Sequence, residues 1–173
     1  MPDESKPPLR QIAELLQRHG VEYLIIGGQA AQFMGSTRIT YDTDLCYRRT
    51  PDNLKRLAAA LKEISISLRG APKDLPFRAD ERTLQSGLNF TFDSSVGPLD
   101  LLGEVEPIGT YERLAANAET YELWNLRMRT LSLEDLMRIK KHVGRPKDLE
   151  LLNELMAIKR VREEMKNKQP PGS

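Results

Sequence analysis

The hydrophobic pattern of the chain begins with a helix and a buried strand. In the segment PPLRQIAELLQRHG, apolar residues recur at the spacing of one helix face, and Gly20 supplies a stop signal. The next segment, VEYLIIGG, is almost entirely apolar, which is typical of a strand covered on both faces. The sequence therefore predicts an amphipathic helix and then an interior strand that ends at Gly27 and Gly28.

The middle of the chain predicts more strands. The segment GQAAQFMG predicts a short helix, and TRITYDTDLCYRR predicts a second strand. The following helix, TPDNLKRLAAALKEI, opens with Thr50 as its N-cap and Pro51 at its first helical position. A mixed stretch rich in turn formers comes next. Residues 88–105, LNFTFDSSVGPLDLLGEV, predict two strands joined by a Ser/Gly turn.

The last third of the chain becomes helical. After a weak helix, TYERLAANAE, and one or two strands in TYELWNLRMRTLS, Ser132 is expected to cap a helix that stops at Gly144, and Pro146 begins a long terminal helix. This order predicts an α+β (mixed α/β) fold with a small mixed sheet and a helical C-terminal part. The expected division is a core over 8–130, C-terminal helices over 131–167, and disordered tails over 1–7 and 168–173.

Composition narrows the classes of function and of metal site. Of the 173 residues, 26 are Lys or Arg and 25 are Asp or Glu, so the net charge of +1 does not indicate a strongly basic nucleic-acid binder. A single Cys46 and only two histidines argue against a disulfide framework or a Cys/His metal site, so any metal should be Mg²⁺ or Mn²⁺ on oxygen ligands. We expect a cytoplasmic protein without a membrane span.

Two short motifs carry the first candidate chemistry. Gly27 and Gly28 follow an apolar strand and precede a helix, an arrangement that lets backbone N–H groups approach phosphate, although it is also a common tight turn. Asp42 and Asp44 would point to the same side of an extended strand, and Arg38 lies just upstream, where it could meet an anion. The pair is either the polar face of an edge strand or a site for Mg²⁺.

A third carboxylate is available on the predicted hairpin. Asp100 lies between two leucines, and a buried carboxylate needs a partner. That partner is either one of the many arginines or a metal ion shared with Asp42 and Asp44. The metal interpretation depends on the presence of those two residues.

The first C-terminal helix has a cation among its apolar positions. Lys140 falls in the middle of the apolar stripe of SLEDLMRIKKHV, where it either reaches out to solvent or contacts phosphate in a cleft. Arg145 and Lys147 then flank the start of the last helix, where Asp148 suits the helix dipole. This basic turn is either a solvated loop or part of an anion site.

The segments YLIIGGQAAQFMGSTRITYDTDLCY, LDLLG and LEDLMRIKKHVGRPKDLELL together resemble the minimal nucleotidyltransferases of the DNA polymerase β-like superfamily. The nearer resemblance is to the branch with AbiEii-type and MenT-type toxins, and it spans about residues 8–160. It implies a nucleotidyltransferase fold whose core is closed by C-terminal helices around a nucleotide cleft. Many members of the superfamily have Gly-Ser where this chain has Gly-Gly, so one hydroxyl contact to phosphate is absent.

The resemblance also implies roles for particular residues. Asp42, Asp44 and Asp100 would be the catalytic carboxylates and bind Mg²⁺ or Mn²⁺, with Asp100 activating the acceptor hydroxyl. Residues expected to bind or surround the nucleotide are Gly27, Gly28, Arg38, Lys140, Arg145 and Asp148.

The expected reaction moves an NMP from an NTP such as ATP to an acceptor hydroxyl. The acceptor would be the tRNA 3′ end or another RNA if the chain is the toxin of a toxin–antitoxin pair, with a cognate antitoxin as partner. The alternatives are an enzyme that modifies a protein or a small molecule, and a silent module of the same fold that binds nucleotide or a protein partner.

Overall fold

The computed structural model describes residues 2–72, 74–168 and 172, and a mixed sheet forms its centre. The helices are α1 (Pro8–Arg18), α2 (Gly27–Met34), α3 (Pro51–Leu61), α4 (Glu81–Ser86), α5 (Tyr111–Ala115), α6 (Leu133–Val143) and α7 (Pro146–Asn167). The strands are β1 (Tyr23–Ile26), β2 (Thr43–Tyr47), β3 (Ile66–Leu68), β4 (Asn89–Ser94), β5 (Leu99–Leu102), β6 (Glu104–Val105), β7 (Gly109–Thr110), β8 (Glu119–Leu123) and β9 (Leu126–Thr130).

Within the described residues, seven strands form the main sheet in the order β3-β4-β5-β2-β1-β9-β8, and β6 pairs with β7 in a separate ribbon. All four residues of β1 are buried, which confirms the prediction of an interior strand. The strand β2 pairs antiparallel with β1 and parallel with β5. The mixed α+β fold that the sequence predicts is confirmed.

Local sequence signals account for most of the helix starts. The Thr50 hydroxyl accepts a hydrogen bond from Asn53 N at the start of α3, and the Ser132 hydroxyl accepts one from Asp135 N at the start of α6. The chain turns after α6 through Gly144, whose φ is +69°, and α7 follows directly. In the described part of the chain, no helix is both long and apolar enough to cross a bilayer.

The structure also defines the hairpin predicted over residues 88–105 and the stretch rich in turn formers that precedes it. β4 and β5 form the predicted hairpin, and TYELWNLRMRTLS contains both strands of a second hairpin, β8 and β9. The stretch rich in turn formers provides the short strand β3 and the helix α4. The β3 edge of the sheet therefore comes from the segment with the weakest sequence pattern.

The second strand is shorter than its sequence suggests. It begins at Thr43, and Ile39 and Tyr41 are 78% and 74% exposed, so the prediction that the strand runs through all of TRITYDTDLCYRR is wrong for the residues before Thr43. The physical reason is the extent of the two neighbouring strands, because β1 ends at Ile26 opposite Asp44 and β5 begins at Leu99 opposite Thr43. Residues before Thr43 therefore have no partner on either strand.

Part of each predicted tail falls outside the described residues, namely Met1, 169–171 and 173. Residues 2–7 include a turn in which Lys6 N donates to Asp3 O. The Gln11 side chain of α1 accepts a hydrogen bond from Asp3 N and donates to Asp3 O, so this described part of the N-terminal tail lies against α1.

Candidate active site

Two carboxylates lie side by side in the middle of the sheet. Asp44 on β2 is in register with Asp100 on β5, and Ile26 of β1 is opposite Asp44 on the other side. Side chains in register on neighbouring strands point to the same face, with the strands about 4.8 Å apart. Burial, followed by repulsion from Asp100 and Asp42, raises the pKa of Asp44 from 3.8 to about 6. The sheet therefore holds two acidic side chains together in a partly buried position.

The turn from β1 into α2 requires glycine. Gly27 has a φ of +67°, and a Cβ atom at this position would overlap the Asp44 carboxylate oxygen Oδ2. A Cβ at Gly28 would lie 2.8 Å from the Thr40 methyl group. The first residue of α2 therefore lies against Asp44 and the second against Thr40. The sequence-predicted phosphate turn and one of the predicted carboxylates are thus neighbours.

Asp100 has an arginine partner that the sequence did not single out. Arg69, just after β3, places Nη2 2.9 Å from Asp100 Oδ1, and the same guanidinium donates to Asp93 Oδ1 and to the Phe92 carbonyl. Asp100 Oδ1 is buried and receives no well-directed hydrogen bond from the described residues. The contact is therefore an ion pair by distance, and it leaves Asp100 beside Asp44. Asp100 therefore has an arginine partner, which was one of the two sequence-based alternatives, and it still lies beside Asp44.

Asp42 is placed differently from its two predicted companions. It lies in the exposed loop before β2, where its backbone N–H donates to the Thr40 hydroxyl. Its charge still contributes to the raised pKa of Asp44. Among the described residues, no three His, Cys, Asp or Glu side chains are grouped closely enough to hold a metal ion. The structure thus brings together Asp44 and Asp100, with Asp42 at the edge of the site.

A cavity of about 170 Å³ opens in front of the carboxylate pair. Gly27, Asp44, Asp100 and Lys140 all line it, and Leu136 and Ile139 of α6 supply part of its apolar wall. The helix α6 therefore lies over the face of the sheet that carries the two carboxylates. Lys140, the cation that interrupts the apolar stripe of α6, faces this cavity. Gly27, Asp44, Asp100 and Lys140 come from four separate segments of the sequence.

Lys140 is held by a buried carboxylate at the start of α7. Its Nζ lies 3.3 Å from Asp148 Oδ1, and Arg145 Nε lies 2.7 Å from Asp148 Oδ2. Asp148 is only 2% exposed, and its hydrogen bond from Arg145 lowers its pKa below the usual range. The predicted basic turn is therefore an ion-pair cluster that fixes Lys140 at the wall of the cavity.

The loop before β2 is fastened to α7 by Glu154. This carboxylate accepts hydrogen bonds from Ser36 Oγ at 3.0 Å and from Thr37 N at 2.8 Å, and it lies 3.5 Å from Arg38 Nε. Arg38 also lies 3.3 Å from Glu150. In this structure the predicted anion-contacting Arg38 is therefore paired with α7.

Sequence reasoning did not identify two of the residues that organise this site. Arg69 comes from the stretch rich in turn formers, and its only advance signal was that Asp100 would need a partner. Glu154 resembles any charged residue on a long helix. Both are recognised only from the contacts that the fold creates.

No known protein family and no curated protein matches the sequence. Solved structures do match. A Thermotoga maritima protein assigned as a nucleotidyltransferase is 14% identical, with a TM-score of 0.54 and coverage of 86% of this chain and 90% of that one. The lincosamide antibiotic adenylyltransferase LnuA, solved with lincomycin bound, is 14% identical, with a TM-score of 0.58 and coverage of 90% and 98%.

A third similar structure is an antigenic nucleotidyltransferase-like protein from Paracoccidioides brasiliensis. It is 14% identical, with a TM-score of 0.53 and coverage of 91% of this chain and 78% of that one. At this level of identity the likenesses establish the fold, which is that of nucleotidyltransferases. The toxin branch that the sequence resembles stays a prediction.

Proposed function

We propose that the chain is a nucleotidyltransferase that moves an NMP from an NTP to an acceptor hydroxyl. One observation carries the proposal. The in-register pair Asp44 and Asp100 lines a cavity with the Gly27 backbone and Lys140, on a fold shared with nucleotidyltransferases. Each of these groups suits one part of the reaction.

In this proposal the triphosphate lies at the β1–α2 turn. Backbone N–H groups at a helix start favour anions, and Gly27 and Gly28 lack the side chains that would obstruct a close approach. Lys140 supplies a positive charge at the wall of the same cavity. Arg38, Arg145 and Asp148 are the remaining proposed residues around the nucleotide, and Asp148 acts by orienting Lys140.

The carboxylate pair has the chemistry of a divalent-cation site. Asp44 has a raised pKa beside a second carboxylate, and Asp100 Oδ1 is buried without a directed hydrogen bond, so a cation between them would relieve both costs. We propose that Asp44 and Asp100 hold Mg²⁺ or Mn²⁺, and that Asp42 adds a further negative charge from the edge of the site. When bound, the ion would neutralise charge on the triphosphate and on the departing pyrophosphate.

The proposed reaction balances without any further reactant. The acceptor oxygen forms a bond to the α-phosphorus, and the bond between that phosphorus and the bridging oxygen to the β-phosphate breaks. The hydroxyl proton passes to the Asp100 carboxylate, and pyrophosphate leaves. Asp44 and Lys140 hold the reacting groups in place, so catalysis rests on positioning and charge stabilisation.

Three kinds of acceptor belong to this proposal. The toxin resemblance favours the 3′ end of tRNA or another RNA, with a cognate antitoxin and a cytoplasmic location. The similar structure LnuA is an adenylyltransferase for a lincosamide antibiotic, which favours a small molecule. A protein acceptor is the third, and a silent module that only binds nucleotide or a partner is the non-enzymatic alternative.

The test is label transfer from each of the four NTPs, labelled at the α-phosphate, with Mg²⁺ and total RNA or protein extract. We expect transfer by the wild type and at least a hundredfold loss in Asp44→Asn, since removing one essential charge stabiliser typically costs about 10²–10³ in rate. Nucleotide binding without transfer to any acceptor would overturn the enzymatic proposal in favour of the silent module. Label on the protein itself would indicate autonucleotidylation.

A further inference from the structure

A second cavity, of about 560 Å³, continues the site away from the phosphate turn. Leu102, Val105 and Ile139 line both this cavity and the smaller one that contains the carboxylate pair. The larger cavity therefore lies directly beside the one that contains Asp44 and Asp100. Its volume is in the range of pockets that bind drug-sized organic molecules.

The walls of this second cavity are apolar side chains that water can reach. Leu88 precedes β4, where it packs near Gly103, and it is 41% exposed. Val143, the last residue of α6, is 44% exposed. Together with the three shared residues, they form an apolar surface suited to a flat or branched carbon skeleton.

The charged side chains of the cavity are acidic. Glu104 and Glu106, on β6 and the turn after it, line the cavity with His142, whose Nε2 lies 3.6 Å from Glu106. Among the described lining residues there is no Lys or Arg. The rim of this cavity therefore carries negative charge. The cations Lys140 and Arg145 are instead paired with Asp148.

We propose that this second cavity is the acceptor subsite and that it takes a small organic molecule with an apolar skeleton, a hydroxyl and an ammonium group. The inference rests on the proposed function and specifies its acceptor. The skeleton contacts Leu88 and Val143, the ammonium group lies near Glu104 and Glu106, and the hydroxyl reaches Asp100.

The same charges disfavour a nucleic acid in this cavity. An RNA acceptor carries one phosphate per nucleotide, and its phosphates would lie beside two carboxylates with no arginine or lysine on the described lining to neutralise them. Like charges brought together repel, whereas an ammonium group gains from the same carboxylates. The rim thus selects acceptors by charge.

Three probes of matched size and different charge test this inference. They are N-butyl-deoxynojirimycin, which is cationic in a buffer whose pH lies below the pKa of its ring amine, butyl glucoside, which is neutral, and butyl glucuronide, which is anionic. Total tRNA is the polyanionic probe. Binding to the full chain is measured by calorimetry without NTP, and label transfer to each probe is measured separately. We expect the cationic probe to bind about three- to tenfold more tightly than the neutral one, as two exposed charge pairs allow, and the anionic probe to bind least.

Variants assign the preference to particular side chains. The double variant Glu104→Gln with Glu106→Gln should lose the preference for the cation, and Glu122→Gln, an exposed carboxylate on the β8–β9 hairpin, should keep it. Leu88→Ser should weaken all three small probes by a similar factor. Because both glutamates are exposed, these changes leave the core intact.

The outcomes separate this inference from the proposed function. Three results would each overturn the proposed acceptor class. They are a lack of saturable binding of the cationic probe, a cation preference that survives the double variant, and tighter binding of tRNA in the same cavity, seen as competition with butyl glucoside. Cation-selective binding without label transfer from any NTP to any acceptor overturns the enzymatic proposal instead. Asp44→Asn should abolish transfer while the order of the three probes in the binding measurement persists.

Discussion

Asp44 lies opposite Asp100 on neighbouring parallel strands, and both side chains face the same small cavity. Two partly buried acids in register on parallel strands are costly, because each charge repels the other and burial penalises the ionised form of Asp44. The raised pKa of Asp44 is the direct sign of that cost. The fold therefore maintains an arrangement that lowers its own stability.

The first prediction concerns pH and Asp44. Its pKa in the fold, about 6, exceeds the ordinary 3.8, so the folded protein binds this proton more tightly than the unfolded chain. Ionisation of Asp44 then lowers the free energy of unfolding as pH rises from about 4 to about 6, and the loss persists above that. Asp44→Asn should exceed the wild type by on the order of 2 kcal/mol near pH 7 and should lose most of that advantage near pH 4.

Urea unfolding of the two proteins at several pH values measures this difference. Glu122→Gln, at an exposed carboxylate, should follow the wild type throughout. A destabilising Asp44→Asn, or an advantage that is the same at both ends of the range, would contradict the repulsion described here.

The second prediction concerns Mg²⁺. A cation that binds only the folded protein at about ten times its Kd contributes about 1.4 kcal/mol. For a chain of this length, that corresponds to a rise in Tm of about 3–6 °C. The double variant Asp44→Asn with Asp100→Asn should show no such rise in a thermal melt. An equal rise in both proteins would place the ion elsewhere.

The third prediction separates two reasons for glycine at position 27. Gly27→Ala should lose about 1–2 kcal/mol from its positive φ and more from the collision with Asp44. Gly70 has a φ of +81° and open space within 4 Å of the point where a Cβ would lie, so Gly70→Ala is the matched control for the backbone effect alone. Denaturant unfolding and label transfer should show that only Gly27→Ala loses activity. Comparable stability and activity in the two variants would show that the collision with Asp44 is not a reason for glycine at position 27.

The fourth prediction concerns the loop that carries Asp42. Glu154→Ala removes the acceptor for Ser36 and Thr37, at a cost of about 1–2 kcal/mol for hydrogen bonds to a charged group. Hydrogen exchange at the Thr37 amide should accelerate, and label transfer should fall because Asp42 is less well held. Glu150→Ala, which loses only an exposed contact to Arg38, should change stability by less than about 0.5 kcal/mol. Unchanged exchange at Thr37 would contradict this account.

The sequence was sufficient for those parts of the site that depend on local pattern. An apolar strand ending in Gly27, a strand carrying Asp44, and a hairpin carrying Asp100 were each predicted from neighbouring residues. Lys140 was singled out because helical periodicity placed it among apolar positions, and it lies at the cavity wall. Gly27, Asp44 and Asp100 meet because of the strand order, which the local sequence pattern does not specify.

The parts that were missed depend on contacts between distant segments. The beginning of β2 is decided by where β1 ends and where β5 begins, so Asp42 lies outside a strand whose residue types extend back to Ile39. Arg69 and Glu154 are ordinary charged residues until the fold brings them to Asp100 and to the loop at Thr37. No spacing rule connects positions so far apart in the chain.

The place of β2 in the strand order has a consequence for how this protein can diversify. Three strands lie on each side of it in the described sheet, so Asp44 is far from either sheet edge, where strands fray most readily. The β6–β7 ribbon and the end of α6, in contrast, lie outside the sheet and carry Glu104, Glu106 and Val143. Under the proposed acceptor subsite, substitutions at these positions change the rim of the cavity, while the acidic pair at the centre keeps its geometry.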